Sequence, residues 1–196
     1  MPRRDFTLTL VAVYLTGIFL LPTLLNTGFL AKLPSPYLVL FVGLPILAVV
    51  GMMIANLIGK RIAILWQLAK FGFVGLLNTA IDFGVLNLLI FLTSITSGLG
   101  IIFINAASFS TAVINSFFWN KKWVFSAGKK GNFLVFVAVT FIGLSINTGV
   151  VYGLTTYSDP IIVKSPTQWA NLAKLLATGL SLIWNFAGYK LIVFKK

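Results

Sequence analysis

Residues 69–92 read AKFGFVGLLNTAIDFGVLNLLIFL, with one base near the start and one acid near the middle. A helix needs roughly 20 mainly apolar residues to cross about 30 Å of hydrocarbon, so this stretch predicts a membrane-spanning helix. The acid, Asp82, would then lie close to the centre of the bilayer. An ionisable group at that depth costs a few kcal/mol or more, and it indicates a functional site by default.

The composition of the whole chain supports the same interpretation. Of its 196 residues 59% are hydrophobic and 9% are charged, with 15 Lys and Arg, 3 acids and no His or Cys. Soluble domains contain about 25% charged and about 45–50% apolar residues. An ordinary soluble globule is therefore excluded, and so is a soluble nucleic-acid binder, despite a net charge of +12. Sites that need Cys or His are absent, and Asp82 has no neighbouring acid, so neither an enzyme nor a cofactor is predicted.

Similar apolar stretches recur along the chain and predict an all-α polytopic membrane helix bundle. The first stretch is longer than the apolar region of a signal peptide, so it is interpreted as a retained helix. Short connections that contain Pro, Gly, Ser and Asn separate the stretches. The six predicted transmembrane helices cover residues of about 7–25, 37–59, 69–92, 99–120, 132–156 and 169–193.

The distribution of basic residues predicts the orientation of these spans. With six spans, all of the 15 Lys and Arg residues except Lys32, Lys164 and Lys174 fall on one side of the membrane. Basic residues accumulate in cytoplasmic connections. The chain is therefore predicted to be a multi-pass protein of the cell membrane with both termini in the cytoplasm.

An internal repeat relates the last four spans, because a shift of 69 residues superimposes two clusters of identical residues. Each repeat unit holds two spans, which predicts a parallel repeat about an axis along the membrane normal. Residues 1–60 do not share the pattern and form an added two-helix segment beside a four-helix domain at 61–196. The spacing Gly149-x-x-x-Gly153 predicts close helix packing. The matches are Asn78, Thr79, Gly84, Phe117, Lys121, Val124 and Phe125 with Asn147, Thr148, Gly153, Phe186, Lys190, Val193 and Phe194.

Polar side chains on spans 3, 4 and 6 are candidates for a substrate site. Such side chains are unfavourable on a lipid-facing surface, because an unpaired amide in hydrocarbon costs several kcal/mol. They either form interhelical hydrogen bonds or line a polar groove that accepts a headgroup. For Asp82 three interpretations are open: an ion pair with Lys174, a substrate or proton site, or a protonated core group. The candidates are Asn78, Asp82, Asn105, Asn115, Lys174, Ser181 and Asn185.

The inner ends of the spans combine aromatic residues with lysines. Such residues are ordinary interfacial anchors. The same composition also suits a lipid phosphate, which lysines attract and asparagine amides bind. The candidates for lipid-phosphate binding are Lys70, Asn120, Lys121, Lys122 and Lys190.

Three motifs resemble signatures of the GtrA-like family of small four-span membrane proteins, over residues of about 68–196. One departure is Ser116-Phe117, where many members have Asn-Phe. The family is likened to the membrane-anchoring subunit of dolichol-phosphate-mannose synthase. The motifs are Phe71-x-x-Val74-Gly75-x-x-Asn78-Thr79-x-x-Asp82-Phe83-x-x-x-Asn87, Ser116-Phe117-x-x-Asn120-Lys121-x-Trp123-x-Phe125, and Trp184-Asn185-Phe186 with Lys190 and Val193-Phe194.

The resemblance implies a role in cell-surface polysaccharide synthesis, with a polyprenyl-phosphate-linked sugar as the substrate. The first hypothesis is a translocase that flips this lipid-linked sugar. The second is a membrane anchor that holds a glycosyltransferase without transporting anything. The third is a small proton-coupled exporter that uses Asp82. Four core spans are few helices to enclose a pathway for a sugar, so a homodimer is an alternative to a monomer.

Overall fold

The computed structural model describes residues 1–124, 133–160, 163 and 165–188, and regular structure in these ranges is helical throughout. The predicted all-α membrane bundle is confirmed, and each predicted span coincides with one long helix. A π-helical turn at Asn120–Val124 continues α4, and the end predicted for the last span lies outside the described residues. The long helices are α1 (Arg3–Asn26), α2 (Pro36–Gly59), α3 (Ala63–Thr93), α4 (Gly98–Trp119), α5 (Phe133–Tyr157) and α6 (Pro166–Gly188).

Local sequence signals explain where several helices begin or end. Gly28 follows α1 with φ +75°, and Gly98 opens α4 with φ +68°, backbone conformations that glycine adopts without steric cost. At the start of α6, the Gln168 backbone N–H donates to Ser165 Oγ at 3.1 Å. Pro166 occupies the first helical position, where its missing N–H would have no partner in any case.

Five of the helices in the described ranges, α1 to α5, are long and apolar enough to cross a membrane. α6 is long enough too, but Gln168, Asn171 and Lys174 lower its mean hydropathy. Two of these polar side chains, Asn171 and Lys174, are buried, whereas Leu176 and Ile183 on the same helix are 51% and 69% exposed. The outer surface of α6 is therefore apolar, as contact with lipid requires.

The chain divides into two compact units, which are described separately below. The first comprises Met1–Val85 with Thr111–Gly128, and the second comprises Leu86–Ser110 with Lys129–Lys196. α3 and α4 contribute residues to both units. The predicted boundary near residue 60, between an added segment and a four-helix domain, stays a prediction.

In the first unit α1 packs along α3 in the same direction. Ala12 of α1 and Leu77 of α3 lie in one buried apolar cluster. Seven residues further along both helices, the backbone of Phe19 packs directly on Gly84, where a Cβ atom would collide with the Phe19 carbonyl group. Glycine is required at this position because it alone permits such a close backbone approach.

In the second unit a compact apolar cluster joins α3, α4, α5 and α6. The indole of Trp169 fixes α6 to the end of α5, because its Nε1 donates to the carbonyl oxygens of Leu154 at 3.0 Å and Ser158 at 3.1 Å. The predicted close packing at Gly149 and Gly153 is not formed within the described chain, since a Cβ at either position meets no atom within 4 Å. The buried members of the cluster are Leu86, Ile90, Ile101, Ile104, Val151, Ala170 and Ala177.

Candidate functional site

A fully buried lysine lies at the centre of a polar cluster in the second unit. Lys174 on α6 is 0% exposed. Its Nζ donates to Asn105 Oδ1 at 2.7 Å, to Ser108 Oγ at 3.2 Å and to Asn147 Oδ1 at 3.4 Å. Since an ammonium group has three donors, each of them has a neutral oxygen within reach. The ring centroid of Phe109 lies 5.9 Å from the same nitrogen.

The amides around Lys174 extend this cluster into a network across three helices. Asn105 Nδ2 on α4 donates to Asn147 Oδ1 at 2.9 Å and to Thr148 Oγ1 at 3.0 Å, both on α5. Asn147 Nδ2 in turn reaches Ser181 Oγ on α6 at 3.5 Å. Because a buried polar group without a hydrogen bond costs about 1–3 kcal/mol, these groups stabilise one another only while the network is closed.

The contact between Lys174 and Asn105 also bears on the internal repeat. The two residues are 69 positions apart, so they occupy the same position in the two repeat units. Residues at equivalent positions meet where a two-fold axis relates two copies of a unit. Their contact supports the repeat that the sequence predicted.

A second buried amide pair in the same unit was not predicted as part of the site. Asn87 Nδ2 donates to Asn171 Oδ1 at 2.6 Å, and Asn171 Nδ2 donates back to Asn87 Oδ1 at 2.8 Å. Asn171 Nδ2 also reaches the Thr167 carbonyl oxygen at 2.9 Å. This reciprocal pair joins α3 to α6. Asn87 is the last residue of the first motif, which is the signal that could have identified it.

In the first unit two predicted residues meet and a third is buried. Asn115 Nδ2 on α4 donates to Asn78 Oδ1 on α3 at 2.7 Å. Interhelical hydrogen bonding was one of the two alternatives for these polar residues. Asp82, one helical turn further along α3, is 5% exposed. The ion pair between Asp82 and Lys174 stays a prediction, since the two residues belong to different units.

The C-terminal end of α4 is completed by side chains from other helices. The last carbonyl groups of a helix have no partner within it. Here the side chain of Arg4 on α1 donates to the Lys122 carbonyl oxygen. On α3, Lys70 Nζ reaches the Trp123 carbonyl oxygen at 3.4 Å, and Gln67 Nε2 reaches that of Val124 at 3.5 Å. Three consecutive carbonyl groups are thus capped from outside their own helix.

Asp5 connects the same helix end to α1 and α3. Its Oδ1 accepts a hydrogen bond from Trp123 Nε1 at 2.7 Å and lies 3.8 Å from Lys70 Nζ. Trp123 is 1% exposed, and its ring packs edge-on against Phe73 and Trp119. Lys70, a predicted phosphate ligand, is 12% exposed and already bound, so a phosphate would have to displace these contacts. Asp5 precedes the first predicted span, at 7–25, and the sequence gave no sign of its partners.

Among the remaining predicted residues, the described side chains of Lys122 and Asn185 lie outside these clusters. Lys122 is exposed, with its Nζ 5.7 Å from the Phe118 ring centroid. The Asn185 side chain packs against Gly143, and its buried Oδ1 accepts no hydrogen bond within the described part of the chain. The side chains of Asn120 and Lys121 and the whole of Lys190 lie outside the described residues. Binding of a lipid phosphate at this end of the molecule therefore stays a prediction.

Sequence reasoning missed Asn147 and Ser108 as ligands of Lys174. Asn147 carried a usable signal, because it is the repeat equivalent of Asn78. Ser108 lies three residues after Asn105 on α4 and was not predicted as part of the site. In both cases the convergence of α4, α5 and α6 on one ammonium group had to be seen in three dimensions.

The comparisons with known proteins agree with the motifs. A sequence model of the family described as "GtrA/DPMS, transmembrane domain" matches residues 70–194. No curated protein and no solved structure matches the chain. The matched region covers nearly all of the last four long helices and leaves α1 and α2 outside.

Proposed function

Because the chain belongs to the GtrA/DPMS transmembrane-domain family, we propose that it moves a polyprenyl-phosphate-linked sugar across the cell membrane. Membership in this family makes it a multi-pass membrane protein of glycan synthesis. In the proposal both termini lie in the cytoplasm, and the chain transports its substrate without catalysing a covalent step. The lipid tail stays in the bilayer while the sugar phosphate crosses between the helices.

The observation that supports this proposal most directly is the polar network around Lys174. An ammonium group and a phosphate attract each other as opposite charges, and this attraction is stronger in a low-dielectric interior than in water. A phosphate can therefore replace the neutral oxygens that surround Lys174 Nζ. The amide groups of Asn105 and Asn147, released from each other, then become available to the phosphate and to sugar hydroxyl groups.

The state of the network defines one step of the proposed cycle. Lys174, Asn105, Ser108 and Asn147 are each 0% exposed, so the described conformation is closed around them. Substrate enters only when α4, α5 and α6 separate, and the closed network re-forms after release. Alternating exposure of a site near the bilayer centre is the general strategy of membrane transporters.

Two other functions remain as competing proposals. The capped inner end of α4, with Lys122 exposed beside it, favours a membrane anchor for a cytosolic glycosyltransferase. The buried carboxyl group of Asp82 favours a proton-coupled exporter, because intramembrane acids commonly carry protons in transporters.

Reconstitution tests the main proposal. The purified full chain is placed in liposomes that contain a short polyprenyl-phosphate sugar with a fluorescent label, and a membrane-impermeant reductant reports how fast the label crosses. We expect transport above the rate in protein-free liposomes and a fall of at least about tenfold for Lys174→Met. Lys32→Met is the matched control, because Lys32 lies in the connection after α1.

The outcomes separate the three functions. Equal rates with and without protein would overturn the translocase. If the chain instead raises the activity of a co-reconstituted glycosyltransferase, the anchor is supported. Efflux that depends on a proton gradient and is abolished by Asp82→Asn supports the exporter.

A further inference from the structure

An apolar groove runs along the outer surface of α5 and α6 in the second unit. Its volume is about 660 Å³. Two of the residues that line it are glycines, and a Cβ built on Gly153 or Gly179 would meet no described atom within 4 Å. The lining residues are Val150, Gly153, Leu154, Leu175, Leu176, Gly179 and Leu180.

The internal repeat indicates what such a surface binds. Shifted by 69 residues, Gly153 of α5 corresponds to Gly84 of α3, and its neighbours Val150 and Leu154 correspond to Ile81 and Val85. In the first unit, these equivalent positions are covered by α1. The backbone of Phe19 lies directly on Gly84, and Ile81 and Val85 belong to the apolar cluster that includes Ala12 and Leu15 of α1. The first copy of this surface is therefore a binding site for a transmembrane helix.

The direction of the bound helix follows from the same contacts. Ala12 packs with Leu77, and Phe19 packs on Gly84, so α1 and α3 advance together and are parallel. A helix that occupies the equivalent surface of α5 must likewise run parallel to α5. In a dimer whose two-fold axis lies along the membrane normal, each helix runs parallel to its copy in the other subunit.

The sequence of α5 fits self-association. Ser145, Gly149 and Gly153 are spaced by four residues, and Ser145 and Gly149 are exposed. Small residues at this spacing let two identical helices approach until their backbones touch. We propose that a second copy of this chain occupies the groove, with α5 of one copy packed against α5 of the other through Gly153, which lines the groove, and Gly149, one helical turn before it.

Substitutions at the glycines test this dimer without disturbing the subunit itself. A Cβ atom built on Gly149 meets no described atom within 4 Å, so we expect Gly149→Leu to be tolerated by its own subunit and to block a second α5. Gly51→Leu is the matched control, because Gly51 on α2 is equally open. Single-molecule photobleaching in liposomes, over a series of lipid dilutions, measures the dimer fraction. We expect Gly149→Leu to raise the dissociation constant at least about tenfold, while Gly51→Leu and the melting temperatures of both variants stay at the wild-type values.

Cysteine cross-linking gives a second measurement. The chain contains no cysteine, so Gly149→Cys introduces a single thiol. We expect this variant, and not Gly51→Cys, to form a disulfide-linked dimer in the membrane. A wild-type chain that remains monomeric at every dilution, unchanged dimerisation of Gly149→Leu, or cross-linking of Gly149→Cys only to a different protein would each overturn the proposal. None of these results depends on whether the protein transports a lipid-linked sugar.

Discussion

The indole nitrogen of Trp123 donates a hydrogen bond to Asp5 Oδ1 at 2.7 Å, although the two residues are 118 positions apart. Trp123 belongs to the region that matches the family, and Asp5 lies outside it. Together with Arg4, which caps the Lys122 carbonyl group, Asp5 attaches the first helix to the C-terminal end of α4. The added segment at residues 1–60 is therefore part of the packed structure, because Arg4 and Asp5 of α1 form hydrogen bonds with Lys122 and Trp123 of the family region.

Removal of the Asp5 carboxyl group should weaken this attachment. Asp5→Ala leaves the buried Trp123 indole without its acceptor and Lys70 without its ion-pair partner. A hydrogen bond to a charged group contributes about 1.5–3 kcal/mol, and a loss of this size lowers the melting temperature of a chain of this length by several degrees. Thermal unfolding in detergent, followed by tryptophan fluorescence, measures the change.

The matched control is Asp159→Asn, which alters an exposed acid and should leave the melting temperature unchanged. Asp5→Asn keeps an oxygen for the indole and should fall between Asp5→Ala and wild type. If Asp5→Ala unfolds at the wild-type temperature, the contact contributes nothing to stability.

The hydrogen bond between Asn78 and Asn115 should appear as a coupling energy. In a double-mutant cycle of Asn78→Ala and Asn115→Ala, we expect about 0.6 kcal/mol and at most about 1.7 kcal/mol, the range found for interhelical hydrogen bonds in membranes. Unfolding of the four variants in a denaturing detergent gives the coupling. Ser145→Ala replaces Asn115→Ala in the control cycle, because Ser145 hydrogen-bonds within its own helix, and that cycle should give zero.

The two equivalent glycines should respond differently to the same substitution. Gly84→Ala places a methyl group against the backbone of Phe19, and such overpacking costs about 1–3 kcal/mol. The methyl group of Gly153→Ala meets no described atom within 4 Å, so this variant should not lower the melting temperature of the monomer in detergent. Equal losses for both variants would mean that α1 does not pack on α3 as described.

The repeat predicts that Lys174 and Asn105 can exchange places. Lys174→Asn removes the ammonium group, and Asn105→Lys puts a second one beside it, where two like charges repel. The double variant Asn105→Lys/Lys174→Asn restores one lysine and one asparagine at the equivalent positions. Gel filtration and melting temperature should show it to be more stable than Asn105→Lys alone. A double variant that is no more stable than that single variant would contradict the two-fold relation.

Much of this architecture could be predicted from local sequence, because membrane spans need only length and apolar composition. The helix that contains Asp82 and the five other spans follow from that rule. The contact of Lys174 with Asn105 was not predicted, although an offset of 69 residues relates the two positions. The partners of Asp5 could not be predicted, since an acid in the first turn of a helix is ordinarily exposed. The surface at Gly153 that no described helix covers could not be predicted either, because glycine spacing favours a helix contact without indicating which helix supplies it.

The pairing of Lys174 with Asn105 has a consequence for how such a protein can evolve. In an assembly of two identical two-helix chains, any residue beside the symmetry axis occurs twice, so the axis would hold two lysines or none. Duplication and fusion of the gene remove that constraint, because each copy then accumulates its own substitutions. A single positive charge can be retained at the axis once the two copies differ, and with it a site that treats the two ends of a ligand differently.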